Sequence, residues 1–318
     1  LVMITSNKKK KKKTILVVCG GTSSEREISL KSGKACSKAI RSLKHKVLTF
    51  DPAKKNLITI KNYKVDLIFN ALHGRDGEDG IAQSYFEYFK IPYTHSGILS
   101  SMNSMDKIIS KKEFKKNKIR TPSYIELNSI NYLNVLKEKN IFRSNLMYPL
   151  ILKPSNEGSS IGVKICKNFL DLRKHTKKLI KKYKTLIVEN FIGGQEIQVA
   201  VFNGKPLGAI ELKPKRKFYD YQAKYSKSAN TEHLMPADLS EKKYKEVLVL
   251  AKKAHKALKC RGITRSDFKF IKNKFYLLEI NTQPGMTDLS LVPEIAEHSG
   301  ISFKNLVKNI INDASTNR

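Results

Sequence analysis

Three oxygen-bearing side chains, Asp267, Glu279 and Asn281, stand in a stretch that can gather them: Gly262-Ile-Thr-Arg-Ser-Asp-Phe-Lys-Phe-Ile-Lys-Asn-Lys-Phe-Tyr-Leu-Leu-Glu-Ile-Asn281. Two β-rich runs flank the polar triplet Lys272-Asn273-Lys274, which reads as a turn. A three-residue turn centred on Asn273 sets Ile271 opposite Phe275, Asp267 opposite Glu279 and Arg265 opposite Asn281; a two-residue turn would break this register. Alternate side chains share a strand face, so Asp267, Glu279 and Asn281 lie together while Phe268, Phe270, Leu278 and Ile280 point into a core. Carboxylates placed opposite each other weaken a sheet. A hard cation between them removes that cost, and Mg²⁺ takes oxygen ligands and few protein carboxylates. The competing reading is an exposed hairpin with scattered charges.

The elements before this hairpin end in loops suited to ligands. Thr14-Ile-Leu-Val-Val-Cys19 reads as a buried strand and Gly20-Gly21 as a turn, and Ser24-x-x-Glu27 resembles a capping box opening a helix through about Leu43. Strand, glycine turn and helix open an α/β unit that binds ligands beyond the strand's carboxyl end. Neither GxxxxGK[ST] nor GxGxxG is present. Glu25, in the first helical turn, either meets a ligand or complements the helix dipole. Further strands are expected at 46–51 and 65–72, the second an apolar run of the parallel type. It leads into His73-Gly-Arg-Asp-Gly-Glu-Asp-Gly80, whose glycines let backbone approach a ligand.

A helix opens at Ser104-Met-Asp-Lys107, and its Lys-rich remainder reads as a solvent face. Tyr148-Pro-Leu-Ile-Leu-Lys153 runs into Pro154-Ser-Asn-Glu-Gly-Ser-Ser-Ile-Gly162, a loop whose N–H groups, hydroxyls and entry lysine suit a phosphate, although Gly/Ser loops are common. Asn203-Gly204 marks a hairpin. Residues 215–230 lack apolar period and read as a lid or a disordered segment. A helix over 240–259 carries apolar residues on one side.

The 318 residues suffice for two or three domains, and 40% hydrophobic content fits a globular chain. No apolar run reaches the ~18 residues that span a bilayer. The N-terminal charges lead into no apolar segment of the signal-peptide kind, and Lys8 to Lys13 read as a solvated tail. Cys19, Cys36, Cys166 and Cys260 are far apart, which points to reduced thiols in a cytoplasm and to neither a disulfide frame nor a zinc site. The formal charge of +33 allows a nucleic-acid partner. Lysines spread over nearly every helix, without interleaved aromatics on one face, argue against it.

Taken in order, GGTSSEREISL (20–30), ALHGRDGEDG (71–80), MDK (105–107), LKPSNEGSSIGV (152–163), VENFIGGQE (188–196), FYDYQAKY (218–225) and LLEINTQPGMTDLSLVP (277–293) resemble the D-alanine–D-alanine ligase family, over residues 14 to about 312. The resemblance implies an α/β chain with the ATP-grasp fold: a tail at 1–13, a Rossmann-like parallel α/β domain at 14–104, and two ATP-grasp subdomains at 105–190 and 191–318. It implies a cytoplasmic enzyme, compatible with a homodimer, that needs neither nucleic acid nor membrane. The carboxylate of one D-alanine would attack the γ-phosphate of ATP, and the amine of a second would attack the acyl phosphate. A ligase using another acceptor, such as D-lactate, and a basic nucleic-acid-binding protein are the alternatives.

The same resemblance implies roles. Asp267, Glu279 and Asn281 would hold two Mg²⁺ ions, with Mn²⁺ able to substitute. Lys107 and Lys153 would touch the α/β-phosphates and Lys224 would close from the lid. Glu189, Asn190 and Ile192 would meet adenine, Glu196 the ribose, and Phe218 the nucleotide. Glu25 would hold the first ammonium with His73 nearby. Arg265 and the Gly285 N–H would stabilise an oxyanion. Ser290 and Leu291 would seat the second alanine, and Ser159 and Tyr225 would link to Glu25. Lactate-using relatives tend to carry phenylalanine where this chain has Tyr225. Tyr225→Phe is therefore expected to relax acceptor choice, read as the product ratio with D-alanine and D-lactate competing; an unchanged ratio would remove Tyr225 from that role.

Overall fold

The computed structural model describes residues 12–213, 231–287 and 289–318. Expectations for the tail up to residue 11, and for the segment holding Phe218, Lys224 and Tyr225, lie outside the described residues, while the Lys13 N–H donates to His45 Nδ1 at 3.1 Å at the start of the first sheet. Three sheets organise the chain.

The first is parallel: β1 (Thr14–Val18), β2 (Lys46–Phe50) and β3 (Leu67–Asn70), in the order β2-β1-β3. The apolar residues of β1 and β3 are buried on both faces, as a parallel sheet between helices requires, while the edge strand β2 is partly exposed. Helix α1 (Arg26–Ser42) covers one face with Cys36, Ala39 and Ile40, and α2 (Ile81–Tyr88) covers the other with Ala82 and Phe86. Tyr93 adds isolated bridges to Ile68 at the sheet edge and to Ser315 near the C-terminus.

Helices α3 (Ile98–Met105) and α4 (Lys107–Lys116) follow. Asp106 separates them: its carboxylate accepts from the N–H groups of Ile108 and Ile109 at 2.8 and 3.1 Å, which caps α4 and makes Lys107 its first residue. The second sheet is antiparallel, in the order β4 (Tyr124–Asn128), β7 (Thr185–Asn190), β5 (Leu150–Pro154), β6 (Lys164–Cys166). The short helices α5 (Tyr132–Val135) and α6 (Glu138–Arg143), with the longer α7 (Phe169–Tyr183), cover its outer face.

The third sheet runs β10 (Glu232–Leu234), β9 (Lys205–Lys213), β8 (Gln195–Phe202), β11 (Ile263–Ile271), β12 (Lys274–Asn281). Helix α8 (Glu241–Ala257) packs Val247, Ala251 and Ala254 against one face. Helices α9 (Leu291–His298) and α10 (Phe303–Asp313) close the chain, and Leu306, Val307 and Ile310 of α10 share a core with Ile15 and Val17 of the first sheet.

The β11–β12 hairpin keeps the expected pairing by an unexpected route. The turn has two residues, Lys272 and Asn273, both left-handed with φ of 48° and 60°, as a primed hairpin turn requires. Ile271 therefore pairs with Lys274, yet Asp267 still faces Glu279 and Arg265 still faces Asn281. A bulge reconciles the two: Phe268 pairs with Leu277 and Asp267 with Glu279, so Leu278 is the extra residue. A bulge re-aims side chains. Phe275, Leu277 and Ile280 join Phe268 in the core, whereas Leu278, expected there, lines a cleft beside Glu279.

Truncating Phe268, which is 1% exposed and meets the Phe275 ring edge-on at 6.2 Å, is expected to cost about 3–5 kcal/mol, measured as the midpoint shift in urea unfolding of Phe268→Ala.

Candidate active site

Between the second and third sheets lies a cleft with an apolar slot and a charged end. Ile151, Ile161, Val163, Ile192 and Leu278 line the slot; Lys107, Glu157, Asp267 and Glu279 line the charged end. A second, more polar pocket adjoins it, lined by Glu25, Glu78, Ser159, Arg265 and Asn281. Lys107 and Glu279 belong to both linings, so they mark the junction.

Opposed on the ladder, Asp267 and Glu279 each face a cation. Arg265 forks Asp267, with Nε 2.8 Å from Oδ1 and Nη2 3.0 Å from Oδ2. Lys107 Nζ lies 3.4 Å from Glu279 Oε2 and donates to the Glu157 carbonyl at 2.6 Å. Asn281 Oδ1 accepts the Gln283 N–H at 2.8 Å. No group of three His, Cys, Asp or Glu residues converges among the described residues. Two carboxylates and a carboxamide form an all-oxygen set, which suits Mg²⁺ held partly by substrate phosphates.

Beside the apolar slot, Glu189 takes Lys153 at Oε1, 2.5 Å away, and Lys111 at Oε2, 2.8 Å away. Lys111, placed by sequence on a solvent face, is fully buried and also donates to Thr121 Oγ1 at 2.7 Å. Burial pulls its ammonium down to about 8. Burial pushes the Glu189 carboxyl up, but the Lys111 and Lys153 charges outweigh it and hold the group below its ordinary value. The Asn190 side chain turns to the 145–147 loop, donating to the Asn145 carbonyl and accepting from the Met147 N–H. At this edge the backbone of 190–192 is what remains to read a ring. Glu196 pairs with Lys269 at 2.9 Å, and both line the cleft.

In the second pocket Ser159 Oγ donates to Glu25 Oε2 at 2.7 Å. A Cβ on Gly158 would stand 2.8 Å from Glu25 Oε1, so only glycine lets that loop come this close. The capping box is absent: Ser23, rather than Ser24, accepts the Glu25 N–H at 3.2 Å, and no side chain of the box caps the helix. Glu25, 6% exposed, turns its carboxylate to the pocket.

His73 lies one layer behind. Its Nδ1 is 3.1 Å from the Gln283 carbonyl and 3.2 Å from Glu78 Oε1, and its Nε2 is 3.0 Å from Ser32 Oγ. A carbonyl only accepts, so Nδ1 carries the hydrogen there. Both ring nitrogens thus serve the protein, and Glu78 takes the place at the lining that sequence gave to His73. Leu291 sends its side chain into the core, since it opens the apolar face of α9. Ser290 Oγ accepts the Thr287 N–H at 2.9 Å and packs against Gly285, where a Cβ would come within 2.7 Å of that oxygen.

Glu78 and Lys269, which line the pockets, and Lys111, buried behind Glu189, are site residues that sequence reasoning missed. Lys111 lies four residues after Lys107, a spacing that stacks two side chains on one helix face. That signal drowns in 61 Lys and Arg residues.

An antiparallel pair of sheets gripping a cation-lined cleft, with a parallel α/β unit at one end, is the ATP-grasp architecture. Residues 114–312 match the family model described as "D-ala D-ala ligase C-terminus". A D-alanine–D-alanine ligase from Pelagibacter ubique is 54% identical over 300 residues, covering 94% of this chain and 97% of that protein. The crystal structure of the Bacillus anthracis D-alanine–D-alanine ligase complexed with ATP superposes with a TM-score of 0.80 at 30% identity, covering 95% and 97% of the two chains. The VanG D-Ala:D-Ser ligase of Enterococcus faecalis superposes with a TM-score of 0.83 at 28% identity, covering 95% and 99%. The chain belongs to the D-alanine–D-alanine ligase family.

Burial raises the Glu78 carboxyl to about 7, with the neighbouring Glu25 charge adding to it and His73 opposing it. From about pH 4.5 to 7 the unfolded chain gives up this proton while the folded chain keeps it, so stability falls as pH rises through that window and is flat above it. Against Glu78→Gln, the wild type is expected to lose about 3 kcal/mol between pH 4.5 and 7.5 in paired denaturant unfolding.

Proposed function

We propose that this chain joins two D-alanine molecules into D-alanyl-D-alanine with ATP as phosphoryl donor, releasing ADP and phosphate, in the cytoplasm, for peptidoglycan precursors. The observation that carries the reading is the pair Lys107 and Glu279, which lines both pockets and so marks where a terminal phosphate meets an amino-acid carboxylate.

The apolar slot takes adenine, whose edge the 190–192 backbone reads, and Glu196 takes the ribose hydroxyls. Lys107 and Lys153 neutralise the α/β-phosphates. Asp267, Glu279 and Asn281 hold Mg²⁺, or Mn²⁺ in its place, and bound metal supplies the charge neutralisation that phosphoryl transfer needs most. Glu25, held by Ser159, binds the ammonium of the first D-alanine, and the carboxylate oxygen of that molecule attacks the γ-phosphorus. The second D-alanine, its carboxylate on Ser290, attacks the acyl phosphate through its amine. Arg265 and the Gly285 N–H take the oxyanion charge, and phosphate leaves with the C–O bonding pair. Water would hydrolyse the acyl phosphate, so turnover requires that it be kept from the site.

The test is phosphate release with ATP, Mg²⁺ and D-alanine, with the dipeptide identified by mass. Release is expected to depend on D-alanine and to ignore DNA and RNA; turnover that ignores D-alanine would end the reading. Glu279→Gln is expected to lower turnover at limiting Mg²⁺ by about 100-fold or more with an unchanged fold. Unchanged turnover there would remove Glu279 from metal binding.

A further inference from the structure

Gln283 stands two residues beyond Asn281, on the loop that carries Gly285 and Ser290, and no role assigned above uses its side chain. A glutamine in a Pro/Gly loop would ordinarily face water, yet this one is 2% exposed. Both ends of its carboxamide are matched. The oxygen accepts from Asn70 Nδ2 at 2.7 Å, and Nε2 donates to the Leu72 carbonyl. Its main chain is engaged as well: the N–H donates to Asn281 Oδ1, and the carbonyl accepts from His73 Nδ1.

One residue therefore holds four groups. Three of them, Asn70, Leu72 and His73, belong to the end of β3 and the loop after it. The fourth is the carboxamide assigned to the metal. The β3 side leads through Gly74 and Glu78 to the Glu25 carboxylate; a Cβ on Gly74 would lie 3.3 Å from Glu25 Oε1. The β12 side carries Glu279, Asn281 and the Gly285 N–H. A buried amide left without partners costs free energy, so its bonds hold the two walls at one separation. A second strut runs parallel to it, since Ser32 Oγ accepts the Met286 N–H at 3.1 Å. Loss of the first strut therefore loosens the wall without releasing it. The apolar slot shares only Leu278 with β12; its other lining residues, Ile151, Ile161, Val163 and Ile192, belong to the second sheet and its loops, which the Gln283 bonds do not touch.

We infer that Gln283 is a positioning residue: it sets the gap between the ammonium-binding wall and the metal and oxyanion wall, and so governs use of D-alanine while leaving ATP affinity alone. The inference rests on the ligase reading above.

Gln283→Leu keeps a branched side chain of similar bulk, one bond shorter, and deletes both side-chain bonds. Steady-state kinetics, normalised to folded protein, are set beside an ATP-binding titration without D-alanine. A misplacement of about 1 Å is expected to lower kcat/KM for D-alanine by roughly 10²-fold while the ATP Kd stays within about twofold. Asn70→Ala, which removes one of the two bonds together with the Asn70 bonds to the Gly77 carbonyl and the Leu72 N–H, is expected to give the same pattern. The double variant is expected to lose less than the two single losses combined, because both remove the same Asn70–Gln283 bond. Should Gln283→Leu fail to fold, Asn70→Ala carries the test. A lowered melting temperature with wild-type kinetics in the folded fraction, or parallel losses in ATP and D-alanine binding, would overturn the clamp. A wild type that makes no dipeptide would instead sink the ligase reading.

Discussion

Two carboxylates facing each other on adjacent strands are the constraint around which this molecule is arranged. Asp267 and Glu279 repel, and burial beside the cleft strengthens that repulsion. The chain answers with two cations, the Arg265 fork on Asp267 and Lys107 near Glu279. Each cation belongs to a different element, one on the same strand and one on the first turn of α4. The acid pair is thus tied both to the third sheet and to the helix that bridges the sheets.

The surroundings make that balance usable. The Lys111–Glu189–Lys153 cluster places a buried anion between two ammonium groups, so one lysine is oriented at the cleft and the other anchors the anion from behind. Breaking one partner of such a cluster leaves an uncompensated buried charge, typically a loss of about 3–5 kcal/mol. On the other side Glu25 is fixed by Ser159 and by the close approach of Gly158. The site therefore has an acidic wall at Glu25, a cationic wall at Lys107 and Lys153, and an acid pair between them.

Much of this was legible in the residues, and the misses have physical causes. Strand periodicity put Asp267, Glu279 and Asn281 on one face, and the pairing holds. The route to it was hidden, because a two-residue turn and a bulge at Leu278 cancel, and neither leaves a mark in apolar alternation. Lys111 was misread because a lysine-rich surface looks the same as a buried lysine until its anion is known. The capping box failed because Glu25 serves the pocket and Ser23 takes over the local bond. His73 and Glu78 lie five residues apart in one glycine loop, and only the fold decides which reaches the pocket and which ties loops together. Motif order identified the family; the layer behind each motif, where Gln283 and Ser32 work, needed coordinates.

The most direct measurement is a crystal structure with a non-hydrolysable ATP analogue and Mg²⁺. The account predicts metal density about 2.0–2.1 Å from oxygens of Asp267, Glu279 and Asn281, bridging to the phosphates, with adenine in the slot beside Leu278. A nucleotide bound elsewhere, or bound in the cleft with no ion among these three side chains, would contradict it.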